Sequence, residues 1–203
     1  MQNLMEQIVG AISRSGLVEV EVSARHVHLT ERDVQILFGE GATLTPKRDL
    51  SQPGQYLSEE RVNLIGAKGR KERVAVLGPT RPSTQVELSK SDCIELGVTA
   101  PLRESGDVKG SGTMTLEGPC GTVTLTEGVI VAQSHVHVPP ETAQMLELKD
   151  KQRVCVEMMT ERPVIFKNVV IRVNGNFNFR MHIDFDEANA AAVSGFTLGK
   201  IIK

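Results

Sequence analysis

The sequence has no tryptophan, a single tyrosine (Tyr56) and only 3% aromatic residues among its 203 positions. Single-stranded nucleic acid is bound on aromatic stacking platforms, and this chain offers none. Its 23 basic and 25 acidic residues are well mixed and leave a net charge of -2, so the basic stripe that tracks a nucleic-acid backbone is missing too. Cysteine is equally scarce. Cys93, Cys120 and Cys155 are odd in number, far apart and without a CxxC pair, so a disulfide framework is not indicated and the expectation is buried, inert thiols in a reducing, cytosolic compartment. No apolar run approaches the about 20 residues of a bilayer span, and the N-terminus lacks the basic region, apolar stretch and cleavage site of a secretory signal. There is no GxSxG elbow and no cysteine beside a histidine, so covalent catalysis has little support.

What the chain does have is the tripeptide His-Val-His, twice. His26-Val27-His28 and His135-Val136-His137 use four of the five histidines. Each follows a β-like run and precedes a helix-like one. In a strand, residues i and i+2 share a face, so each pair can present two imidazoles to one metal ion. The repeat extends further at a fixed offset, with Val20 and Val22 matching Val129 and Val131, and Gln35 and Leu37 matching Gln144 and Leu146. Both halves continue with a turn-linked strand pair (residues 61–78 and 153–173) and end in a strand running into a short helix. Glu87 is central in the first closing strand, QVELS, and His182 holds the matching place in the second, FRMHID. A strand glutamate alone would read as a solvated face residue. Its place in the repeat makes the two ligand sets His26, His28, Glu87 and His135, His137, His182. Zinc takes imidazole nitrogen and carboxylate oxygen, and three protein ligands leave a position open for substrate.

With 40% hydrophobic residues, the chain can bury one large core or two small ones. Val18, Val20 and Val22 alternate with polar residues as a half-buried strand. Thr30 and Asp33 predict a capped helix through Phe38 ending at Gly39, while Pro139 and Pro140 start the matching helix in the second copy. Residues 43–58 read as a long loop, and short β runs fall at 112–118, 121–127 and 128–134. Glycine and proline punctuation of this kind suits small barrels. The expected fold is mainly β, with two small β-barrels from an internal duplication, short capping helices and an N-terminal amphipathic helix. In that helix, residues 1–16, Leu4, Met5, Ile8, Val9 and Ile12 form the apolar face, which either packs on the body or a second subunit or serves as a docking tag.

SARHVHLT, LTPKRDLSQPGQ, GPTRPSTQVELS, PLRESGD, GVIVAQSHVHVPP and MHIDFDEANAA together resemble, in this order, the propanediol-utilisation type of phosphate acyltransferase, or phosphate propanoyltransferase. The resemblance runs from about residue 17 to 192. It implies a two-barrel enzyme with two zinc ions that moves an acyl group between coenzyme A and inorganic phosphate, taking propanoyl-CoA or acetyl-CoA. The same six metal positions follow from it. Arg81 matches the family's phosphate-binding arginine, and Ser23, Arg48, Leu77 and Asn189 lie where the family contacts coenzyme A. It further implies that residues 17–24 join 133–203 in one barrel while 25–132 form the other. A homo-oligomer in the lumen of a bacterial microcompartment is implied, residues 1–16 serving as an encapsulation tag toward shell or core proteins, with the cytoplasm as the location otherwise. Ser134 and Val138 stand where the family usually has arginine and methionine.

The chemistry fits such a site. Phosphate attack on a thioester develops charge on the carbonyl oxygen and then on the departing sulfur; one zinc would ease thiolate departure, while the other and the planar Arg81 guanidinium would hold phosphate. Two rival readings of the residues alone are a cupin-like metal oxygenase or isomerase, whose pattern also combines HxH, Glu and a later His, and a non-catalytic metal-stabilised assembly module.

Overall fold

The computed structural model describes Gln7, Ala11 and residues 14–203. The apolar face expected at Leu4, Met5, Ile8, Val9 and Ile12 lies outside these residues. The rest is mainly β with four short helices among the described residues: β1 (Leu17–Val22), β2 (His26–His28), α1 (Glu31–Phe38), β3 (Pro46–Asp49), β4 (Tyr56–Ile65), β5 (Arg70–Gly78), β6 (Gln85–Leu88), α2 (Lys90–Leu96), β7 (Leu102–Arg103), β8 (Gly112–Glu117), β9 (Thr122–Ala132), β10 (His135–Val138), α3 (Pro140–Met145), β11 (Arg153–Met158), β12 (Ile165–Val173), β13 (Arg180–Ile183), α4 (Phe185–Ala190) and β14 (Leu198–Ile202). Contacts divide the chain into one compact unit of Met1–Ser23 and Ser134–Lys203 and another of Ala24–Gln133.

Each unit is a closed six-stranded barrel, as the sequence led us to expect. The first has the order β1-β13-β10-β12-β11-β14. In the second, β8 pairs with both β4 and β9 and so closes β9-β6-β2-β5-β4, while β3 and β7 are attached at the side. The rings follow one plan down to register. β10 runs antiparallel to β13 with His135 opposite His182, and β2 runs antiparallel to β6 with His26 opposite Glu87. Likewise β1 pairs in parallel with β13 at Val20 and Met181, and β9 with β6 at Val129 and Val86. Each closing strand is therefore joined by the strand that leads into the other copy's histidine pair. That exchange makes one unit discontinuous in sequence.

Three local expectations change. Residues 43–58 are not a plain loop: Arg48 pairs with Leu57 and Asp49 with Tyr56 in a β3–β4 hairpin. All four residues of β3 are exposed, so this side strand shows no apolar alternation for a sequence reading to detect. The runs 121–127 and 128–134 are largely one strand, β9, bent at Gly128, whose φ of +133° favours glycine. The α1 cap is also only half reciprocal. Thr30 Oγ accepts from Asp33 N at 3.0 Å, but the Asp33 carboxylate takes the hydroxyl of Thr84, which in turn accepts Thr30 N–H at 3.0 Å.

The cores follow the strand alternation. Val27, Leu64, Val76, Val86 and Leu116 fill one barrel, and Val136, Val156, Ile171, Met181 and Ile183 the other. Fully burying such side chains contributes roughly 1.5–3 kcal/mol each. Helix α1 closes on its barrel where a Cβ at Gly118 would stand 2.3 Å from the Leu37 carbonyl oxygen, a contact only glycine permits.

Asp92 ties the second barrel's corner together. It forms a capping box with Ser89 at the start of α2, accepts Arg25 Nε at 2.9 Å on both oxygens, and lies 3.5 Å from Lys71 Nζ. Burial alone would raise its carboxyl, but the Arg25 hydrogen bonds and charge outweigh that and hold it below the ordinary value. A folded pKa below the unfolded one contributes stability that is complete above the carboxylate range and lost as pH falls through it. Asp92→Asn is therefore expected to cost about 1–3 kcal/mol at neutrality. In urea titrations its gap from wild type should narrow on acidification; a gap that stays constant would assign the loss to packing instead of charge.

Candidate metal centres

Alternation places the six candidate ligands. Val27 and Val136 are fully buried in the two cores, so the histidines on either side of each point to the opposite face of the strand. In the closing strands, Val86 and Leu88 flank Glu87, while Met181 and Ile183 flank His182, and these four also belong to the cores. Directly opposed residues of an antiparallel pair have Cβ atoms about 4.5–5.5 Å apart. The register thus sets Glu87 against His26 and His182 against His135. In each group of three, ligand-capable atoms lie within 4.8 Å of one another.

In the first centre, His26, His28 and Glu87 are all buried. His26 Nδ1 lies 2.8 Å from the Ala24 carbonyl oxygen and donates to it, so Nε2, 3.5 Å from Glu87 Oε2, is the nitrogen that faces the carboxylate and would ligate once its proton is displaced. Backbone anchoring of one ring nitrogen is how proteins fix the tautomer of a ligating histidine. Burial works to lower the His26 pKa, but the charge and hydrogen bond of Glu87 outweigh it and leave the ring raised. Burial, then the charges of His26 and Arg81, push His28 well below the ordinary histidine value. Glu87 is held far below the usual carboxylate range, since His26, His28 and Ser105 together overcome its desolvation. An ionised carboxylate beside the neutral His28 ring, with the His26 Nε2 proton displaced on binding, is the donor set a divalent ion takes.

In the second centre, His135 Nε2 and His137 Nε2 stand 3.0 Å apart. Two imidazole nitrogens on one tetrahedral zinc would be about 3.3 Å apart. His182 stacks on His135, with ring centroids 5.3 Å apart, and meets His137 edge to face at 4.9 Å. Burial first, then His135, His182 and Arg172, hold the His137 pKa down at about 2, so the ring is neutral at neutral pH and one nitrogen lone pair is available. Glu21 Oε2 lies 3.7 Å from His182 Nε2, and Ser23 Oγ 3.4 Å from its Nδ1. In the second centre His137 Nδ1 is buried without a protein hydrogen-bond partner. The converging atoms there are the Nε2 nitrogens, and in each group imidazole nitrogens, with a carboxylate oxygen in the first, lie within 4.8 Å of one another, a donor set that suits a borderline-soft dication. The residues fit a metal.

Comparison with known proteins places this arrangement in a family. The profile described as phosphate propanoyltransferase matches residues 19–194. A phosphate propanoyltransferase of Clostridioides difficile (strain 630) is 45% identical over 203 residues, which cover 100% of this chain and 97% of that protein. The chain belongs to the phosphate propanoyltransferase family. A relative of the same name from Leptotrichia buccalis is 46% identical across 98% of this chain and 94% of its own length, and one from Thermotoga maritima is 45% identical across 91% and 88%. The motif resemblance is thereby established, and the protein is an acyltransferase; the cupin-like and non-catalytic readings fall away.

Of the other positions singled out in the sequence, Arg81 lies beside the first centre, where its Nη1 donates to Ser105 Oγ at 3.3 Å. Ser23 reaches His182 in the second. Arg48 and Leu77 both flank Leu57, on neighbouring strands, so one line across the sheet carries both. Asn189 is exposed near the end of α4. Ser134, in place of the usual arginine, gives its hydroxyl to Glu187 Oε1. Sequence reasoning gave no role to Gln85 and Ser105, which both bond Glu87, at 2.6 Å and 2.7 Å. Their only sequence signal was membership of the segments QVELS and PLRESGD, since neither breaks the strand pattern nor repeats in the other half.

Proposed function

We propose that this enzyme converts an acyl-CoA, propanoyl-CoA or acetyl-CoA, and inorganic phosphate reversibly to acyl phosphate and coenzyme A, using two zinc ions. The observation that carries this reading is the pair of equivalent three-residue ligand groups, one with Glu87 and one with His182, in a phosphate propanoyltransferase chain. His26, His28 and Glu87 hold one ion, and His135, His137 and His182 the other. When bound, the two dications would offset the negative charge that develops on the thioester oxygen and the departing sulfur, and zinc is soft enough to accept a thiolate.

The reaction needs no enzyme nucleophile. A phosphate oxygen attacks the carbonyl carbon, the C–O bond forms, the C–S bond breaks, and the electron pair leaves with sulfur. Arg81 grips two phosphate oxygens through its planar fork and neutralises part of their charge. Ser23, Arg48, Leu77 and Asn189 contact coenzyme A. Among the described residues the cysteines lie outside both ligand groups, in keeping with direct transfer. The chain acts as a homo-oligomer within a microcompartment lumen, its N-terminal segment laying Leu4, Met5, Ile8, Val9 and Ile12 on a shell or core protein in helix-in-groove fashion. No described helix is long and apolar enough to cross a membrane.

Elemental analysis of purified protein should find up to two zinc ions per chain, and His26→Ala and His135→Ala should each remove one and severely reduce turnover, a loss of several kcal/mol of transition-state stabilisation. Fully active protein without transition metal would refute the metal assignment. Arg81→Lys keeps the charge but loses the fork, so the phosphate KM should rise and kcat fall. Unchanged phosphate kinetics with collapsed acyl-CoA kinetics would move Arg81 to the cofactor. A chain beginning at Leu17 should keep its melting temperature, oligomeric state and turnover, while a fluorescent protein carrying residues 1–16 should co-localise with shells. Strong destabilisation of the shortened chain together with a diffuse fusion would make the segment structural.

A further inference from the structure

The side chains behind Glu87 form a closed set of hydrogen bonds. Glu87 Oε1 accepts from Gln85 Nε2 at 2.6 Å and from the Ser105 hydroxyl at 2.7 Å. Gln85 Nε2 gives its second hydrogen to Ser105 Oγ at 3.0 Å, and Arg81 Nη1 gives one to the same oxygen at 3.3 Å. The Ser105 hydroxyl has one hydrogen to donate and two lone pairs to fill, and all three are used. The Gln85 amide is locked in orientation because its Oε1 accepts Gly106 N–H at 2.7 Å, which turns Nε2 toward the carboxylate. Gln85 is only 2% exposed, so a misdirected amide there would leave polar atoms buried and unsatisfied. One carboxylate oxygen of Glu87 is thus saturated, and the other faces His26.

We propose that Ser105, supported by Gln85, is a positioning residue that makes Glu87 a one-oxygen ligand and holds Arg81 at a fixed place beside it. The proposal rests on the reading of Glu87 as a metal ligand and Arg81 as the phosphate-binding group. Two effects follow from one hydroxyl. A carboxylate without its outer partners can rotate, so it exchanges or chelates through both oxygens and holds its ion less tightly; loss of such partners typically lowers metal affinity about 10- to 100-fold. Arg81 loses an acceptor at Nη1 at the same time, so its fork is less well aimed at phosphate. Ser105 lies on the loop between β7 and β8 and is only half-buried, so its removal leaves the barrel cores untouched.

The test compares wild-type holoenzyme with Ser105→Ala, Ser105→Thr and Glu87→Gln, reading zinc retention against a competing chelator, thermal melting, and KM and kcat for phosphate. Ser105→Ala should fold normally, retain the three-histidine ion, release the other at about 10-fold or lower chelator concentration, and raise phosphate KM more than it changes kcat. Ser105→Thr keeps the hydroxyl and should restore both properties. Glu87→Gln should lose that ion outright. If Ser105→Ala holds both ions with wild-type affinity and its phosphate KM is unchanged, while Glu87→Gln loses one, the positioning role is wrong and the ligand assignment stands. If Glu87→Gln keeps both ions at wild-type affinity, the ligand assignment itself fails and the proposal falls with it.

Discussion

Everything chemical in this protein depends on strand register. A valine pinned in each barrel core forces its two neighbouring histidines onto the other face, and one antiparallel pairing sets the third ligand opposite the first. Because the side-chain period of a strand is two, a slip of one residue would bury His26 and His28 in the core and expel Val27. Yet β2 is only three residues long. Its register is held by what surrounds it: β5 and β6 on either side, Arg25 clamped to Asp92 just before it, and Thr30 tied to Thr84 just after. The register of the site is set by its flanks, with little owed to the strand itself.

The duplication explains why the same solution occurs twice, and the strand exchange explains why the copies cannot be separated. Ala24–Gln133 contains a complete ring, whereas residues 134–203 lack the strand that fills the place between β13 and β14. That place is taken by Leu17–Val22, with Val18 and Val20 entering the core of the first barrel. The second barrel receives β9 in the corresponding position at the same register. A barrel without this strand would expose two unpaired edges, which native proteins avoid.

Both the fold class and the six ligand candidates were legible in the sequence for one reason: strand alternation and the repeat offset are periodic signals, and His-Val-His with its partner strand registers in both. The exposed strand β3 was not, because a strand with no buried face has no alternation to read. Gly128 interrupted a strand that continues through it. The exchange of β1 and β9 could come only from resemblance, since pairing between distant strands leaves no trace in local pattern. Gln85 and Ser105 stayed hidden for a related reason. A serine in a loop and a polar residue at a strand's first position look ordinary until tertiary contacts show both aimed at one carboxylate oxygen.

The two copies have also diverged at a position that the duplication makes comparable. Arg25 precedes His26 as Ser134 precedes His135, and Asp92 completes the capping box of α2 as Glu187 completes that of α4. In one copy the carboxylate faces a guanidinium; in the other it faces a hydroxyl. A neutral hydroxyl cannot offset the desolvation of a buried carboxylate as a cation does, and Asp184 and Asp186 add repulsion, so burial raises the Glu187 pKa whereas Asp92 is lowered. The linkage signs are therefore opposite. Asp92 contributes stability above the carboxylate range and loses it as pH falls, while Glu187, binding its proton more tightly folded than unfolded, penalises the fold as pH rises through that range. The duplicated corner thus answers acid in two directions: a cation faces the carboxylate in one copy, whereas a hydroxyl and the added charges of Asp184 and Asp186 surround it in the other.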